Sequence, residues 1–73
     1  MARENVEFPI AGTVTSVNVS QGAVVKEGDI LCLLESMKME NPIVAPVGGT
    51  VIEIKLSPGQ VVEAGDLVAI IEY

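Results

Sequence analysis

Histidine and tryptophan are absent from this 73-residue chain, and aromatics make up only 3% of it, as Phe8 and Tyr73. Positive charge is scarce too: four Lys and Arg stand against ten Asp and Glu, for a net charge of −6. A nucleic-acid binder usually carries a basic face or stacking aromatics, so that class is excluded. The lone Cys32 has no partner for an internal disulfide, and the apolar run Ile30-Leu31-Cys32-Leu33-Leu34 around it reads as core, with a buried, inert thiol. No apolar run approaches the length of a membrane span, and Met1-Ala2-Arg3-Glu4-Asn5 is too polar to open a signal peptide. The expectation is a soluble, cytoplasmic chain with no direct membrane insertion. Ten dispersed carboxylates without a histidine make a solvated surface rather than a metal site. No acid–base pair, nucleophile–base pair or phosphate loop is evident, so no catalytic residue is assigned.

What is present is a duplication. Adding 37 to a position between Pro9 and Glu35 gives its counterpart between Pro46 and Glu72 without a gap, and 11 of the 27 pairs are identical. Gly12-Thr13-Val14 falls on Gly49-Thr50-Val51, Gly28-Asp29 on Gly65-Asp66, and half of the remaining pairs exchange one apolar residue for another. Duplicated glycines and aspartates point to backbone geometry and turns. The same reasoning gives Glu35, twinned with Glu72, a structural or solvated role. Lys38 lies just past the first copy, and its counterpart would fall beyond Tyr73. A lysine held at the seam of a duplication is a place for attachment.

Short β-branched and aliphatic runs, broken by glycine-containing turns, predict strands throughout. The first half is read as Val6–Phe8, Thr13–Val19, Ala23–Val25 and Ile30–Glu35. The second is read as Met39–Val44, Thr50–Leu56, Gln60–Val62 and Leu67–Glu72. Thr15-Val17-Val19 and Ile52-Ile54-Leu56 alternate with polar residues, which predicts that these sets face the core. At this size neither half buries enough apolar surface alone, so the two must share a core. The expected fold is all-β: a pseudo-twofold sandwich or flattened barrel, one domain over residues 1–73, with repeats at about 9–35 and 46–72. The symmetry predicts that the chain termini lie at the end opposite Lys38.

Glu35-Ser36-Met37-Lys38-Met39-Glu40-Asn41 resembles the attachment motif of biotinyl domains, in which the modified lysine lies between two methionines. The likeness extends over nearly the whole chain, through Pro9–Gly12, the Gly22–Gly28 stretch and its copy at Gly59–Gly65. It implies a barrel-sandwich hybrid of two four-stranded antiparallel sheets and a biotin carboxyl carrier of the thumbless type. Biotin would be joined covalently to Lys38 by a biotin protein ligase, with Met37 and Met39 as further cofactor-site residues, recognised by that ligase. The carrier would then serve a biotin carboxylase and a carboxyltransferase or decarboxylase. Ser36 stands where alanine is frequent in the family, another small residue.

The chemistry of the residues agrees with a substrate role. An ordinary lysine is almost fully protonated at neutral pH, and attack on an activated carboxyl needs the free amine. The chain offers no evident base, so activation belongs to a partner enzyme. Two alternatives stay open: a lipoyl-type acyl carrier on the same fold, and an unmodified β-sandwich interaction module. A Met-Lys pair also violates the usual turn preference, since a two-residue hairpin favours Asn-Gly or similar pairs that tolerate positive φ.

Overall fold

A computed structural model describes residues 1–73. Eight strands form: β1 Arg3–Glu7, β2 Gly12–Val17, β3 Val24–Val25, β4 Ile30–Ser36, β5 Met39–Val44, β6 Gly49–Ile54, β7 Val61–Val62 and β8 Leu67–Glu72. There is no helix, and so none long and apolar enough to cross a membrane. The strands make two antiparallel sheets, in the orders β1-β8-β6-β3 and β5-β4-β2-β7. Adding four to each strand number converts one sheet into the other, so the duplication in the sequence is a pseudo-twofold axis in space.

Each sheet takes two strands from each half, which interlocks the repeats. The Gly22 N–H donates to Val51 C=O and the Gly59 N–H to Val14 C=O, both at 2.7 Å. Gly28 and Gly65 likewise donate across the halves, to Ala45 and Phe8. The two turns before β4 and β8 are built alike: Asp29 Oδ2 accepts from the Lys26 N–H and Asp66 Oδ2 from the Glu63 N–H, each at 2.8 Å.

Fourteen residues are buried, and they are seven repeat pairs: Val6/Ile43, Phe8/Ala45, Val14/Val51, Val25/Val62, Leu31/Val68, Cys32/Ala69 and Leu34/Ile71. Every buried position is therefore used twice, and the core sits between the sheets across the symmetry axis. No polar or charged residue is buried.

Two expectations from the sequence need correction. Thr15 and Ile52 do not join the core face. The ladder shifts register between Val14 and Ser16, and again between Val51 and Glu53, as a β-bulge does. The extra residue resets the alternation, so Val14 and Val17 point inward while Thr15 is exposed. Second, β1 begins at Arg3 rather than Val6. Arg3, Glu4 and Asn5 carry no apolar signal, and they are extended because they pair with Glu72, Ile71 and Ile70 of β8. The other strand ends differ from expectation by one or two residues, β4 running one residue further to Ser36, and β5 and β8 lie as read.

Candidate functional site at the β4–β5 hairpin

The β4–β5 hairpin closes on the pair Ser36 and Met39, leaving Met37 and Lys38 as a two-residue loop. Right-handed strand twist favours a turn with positive φ at both loop positions, and here φ is 54° at Met37 and 64° at Lys38. No other non-glycine residue of the chain has positive φ. Such a conformation costs an L-residue about 1–2 kcal/mol. The only backbone strain of this kind thus coincides with the lysine singled out by the sequence.

The loop is fully outside the core. Met37 is 91% and Met39 66% exposed, and Lys38 is exposed between them. Two methionines that far from packing are not core filler. The salt bridge of the molecule joins Arg3 to Glu72, so the Lys38 amine is held by no carboxylate.

Glu35 and Glu40 are directly paired across β4 and β5. Their counterparts by the duplication, Glu72 and Arg3, also face each other across strands, and there they are ion-paired at 3.6 Å. The hairpin end therefore carries two like charges where its twin carries opposite ones. The Glu35 side chain makes no hydrogen bond and is solvated, as expected from its repeat. Glu40 is tied down: the Thr15 hydroxyl lies 3.1 Å from Glu40 Oε2 and 3.3 Å from the Leu33 carbonyl oxygen. Asn41 Nδ2 donates to the Met39 carbonyl at 3.3 Å, bracing the strand behind the loop. Sequence reasoning set Thr15 on the core face and named Asn41 only within the motif, so it foresaw neither contact. The signal for Thr15 was available, because its repeat counterpart is Ile52 and a hydroxyl had replaced a hydrocarbon.

Strand direction places the site on the molecule. Ala2 and Tyr73 bond to each other reciprocally at 2.8 and 2.9 Å. From there β1 leads away to Phe8, and the chain reaches Gly12, which lies against the Glu35 carbonyl near the hairpin end. The termini and Lys38 therefore occupy opposite ends of a body 37 Å long and 19 Å across. A shallow groove of about 370 Å³ runs between the edge strands β1 and β5, lined by repeat pairs such as Asn5/Pro42 and Pro9/Pro46. It lies at the symmetry axis and not at the tip. Nowhere do three or more His, Cys, Asp or Glu side chains converge as metal ligands would.

The connection from β2 to β3 has six residues, as does that from β6 to β7, so neither half holds an insertion there. The strained turn, the bare amine and the uninterrupted sandwich together describe a display scaffold.

Comparison with known proteins agrees. Residues 4–71 match the biotin/lipoyl family, described as "biotin-requiring enzyme". The gamma subunit of methylmalonyl-CoA decarboxylase from Veillonella parvula is 50% identical over 42 residues, covering 58% of this chain and 33% of that subunit. A biotinylated protein TB7.3 homolog from Mycobacterium leprae is also 50% identical over 42 residues, covering 58% of this chain and 59% of that protein. Among solved structures, the urea carboxylase of Kluyveromyces lactis superposes with a TM-score of 0.90 at 33% identity, over 99% of this chain and 6% of that one. A single-chain, multi-domain long-chain acyl-CoA carboxylase gives 0.86 at 34% identity, over 93% of this chain and 7% of that one. The matched part thus spans between 7% and 59% of the first curated relatives. Over almost its whole length, this chain belongs to the biotin/lipoyl attachment family.

Proposed function

We propose that this chain is a non-catalytic biotin carboxyl carrier, a single carrier domain over residues 1–73 whose attachment residue is Lys38. The observation that carries this reading is the strained Met37-Lys38 turn, which holds an unpaired amine outside the core between two exposed thioethers. The fit to an amide-linked group is direct, because nothing else in the chain competes for that amine. Bound biotin supplies a ring nitrogen that accepts and releases a carboxyl group. The chain contributes position. Its hairpin fixes one end of a long arm, and a tethered group meets each active site as an intramolecular reactant. Placing the termini at the far end keeps any attached partner clear of that arm.

The chemistry belongs to partners. The relatives support a role with the subunits of a biotin-dependent carboxylase or decarboxylase. In the finer reading, a biotin protein ligase loads Lys38, with Met37 and Met39 as its recognition contacts, and the arm then visits a biotin carboxylase and a carboxyltransferase or decarboxylase. The site of action is cytoplasmic.

Coexpression with a biotin protein ligase, followed by intact mass and peptide mapping, tests the proposal. A biotin-sized gain on Lys38 that disappears in Lys38→Arg is the expected result. A lipoyl-sized gain would move the assignment to an acyl carrier, and an unmodified chain would leave only an interaction module.

A further inference from the structure

Methionine thioethers are oxidised by hydroperoxides when solvent reaches the sulfur, and two of the three methionines of this chain flank one lysine. Met37 and Met39 are 91% and 66% exposed. No aromatic ring covers either sulfur, since Phe8 is buried in the core and Tyr73 lies at the other end of the molecule. The other sulfur nucleophile is protected: Cys32 has no accessible surface. Burial also pushes its thiol up to about 11, which removes the reactive thiolate. A two-electron oxidant therefore reaches the hairpin tip, and Met1 at the far end, and spares the core.

We propose that Met37 and Met39 form a peroxide-responsive modification site whose oxidation to methionine sulfoxide blocks the loading of Lys38. In each event the sulfur lone pair attacks one peroxide oxygen and the O–O bond breaks. A sulfur–oxygen bond forms, sulfur gives up two electrons, and the second oxygen leaves as water with the proton of the transferred hydroxyl. The product replaces a soft apolar side chain with a strong dipole immediately on either side of the amine. A ligase surface that closes over apolar thioethers must then desolvate a sulfoxide oxygen without a prepared donor, which is unfavourable. The step is reversible by methionine sulfoxide reductases, so it makes a switch rather than damage. This inference rests on the carrier reading.

Purified unloaded chain treated with hydrogen peroxide should gain one oxygen on each of Met37 and Met39 by peptide mapping, with an unchanged melting curve. Its kcat/KM as substrate for a biotin protein ligase should fall by about tenfold or more, and treatment with both stereospecific reductases should restore it. Met1, 97% exposed at the opposite end, also takes up oxygen, and a Met1→Leu chain should lose as much loading on oxidation as the parent. In the Met37→Leu/Met39→Leu chain the loading rate, whatever its level, should be the same before and after peroxide. Loading of the doubly oxidised chain at the untreated rate would overturn the inference, as would resistance of both methionines to peroxide in the folded chain. Failure of the untreated chain to take biotin is a separate result, and it defeats the carrier reading together with this one.

Discussion

At Met37 the backbone is held at φ 54° with no packing to repay it, since the side chain is exposed. Replacing Met37 with glycine or asparagine, which tolerate this region, should relieve the strain. Denaturant unfolding of Met37→Gly should show a gain of about 1 kcal/mol, while loading by the ligase becomes poorer. Gly12 is constrained in the opposite sense, by space and not by φ. A Cβ there would run into the Glu35 carbonyl oxygen and come within 3.0 Å of the Leu34 side chain, and Gly49 meets Glu72 and Ile71 in the same way. Gly12→Ala and Gly49→Ala should each lose about 1–3 kcal/mol, the usual cost of overpacking. Equal losses at the two positions would reflect the duplication; a tolerated alanine at either would show that the strands can separate more than the structure allows.

At the scale of the hairpin, charge distinguishes the two ends of an otherwise symmetric molecule. Like charges directly across a strand pair destabilise it, and opposite charges contribute roughly 0.2–1 kcal/mol. The Glu35–Glu40 pair of β4 and β5 thus costs stability that its twin, Arg3–Glu72 of β1 and β8, does not. Changing Glu35→Lys should raise the thermal midpoint slightly, and high salt should erase the gain. Arg3→Glu should lower it by a similar amount, because it gives the far end the charge pattern of the hairpin. A hairpin that keeps a repulsive pair beside a strained loop has given up stability on two counts at the same place.

The whole molecule has one core made of seven pairs, so damage in either half should be felt by both. Leu34 and Ile71 are repeat partners without accessible surface. Leu34→Ala and Ile71→Ala should each cost about 2–5 kcal/mol, and each variant should unfold in one transition by calorimetry rather than losing half the structure. Cys32 adds a pH dependence. Its pKa is raised by desolvation from 9.0 to about 11, so the folded state binds the proton more tightly than the unfolded state. The associated stability is complete below pH 9 and declines as pH rises toward 11. Substitution by alanine, the residue at the repeat position Ala69, should remove that alkaline limb from a stability–pH profile.

Much of this was legible before any coordinates. A repeat without gaps, with its glycines and aspartates in register, is a direct record of paired turns and shared backbone geometry, and it led to the pseudo-twofold sandwich. Lys38, placed at the seam, could be found for the same reason. The bulges after Val14 and Val51 were not legible, because one inserted residue looks the same as any other until a neighbouring strand defines the register. Arg3-Glu4-Asn5 was missed as strand because its extended form comes from pairing with β8 and not from side-chain pattern.

Composition and duplication by themselves determined the fold class, the shared core and the identity of the outlying lysine, since these depend on which residues recur and at what spacing. Tertiary structure alone decided that Met37 and Lys38 sit at positive φ, because the twist of the strands on either side imposes it against the preference of both residues. It also decided that Thr15 reaches Glu40 across an intervening strand, and that one end of a symmetric body carries repulsion where the other carries an ion pair. Those are relations between distant positions, and a linear pattern records them only after folding brings them together.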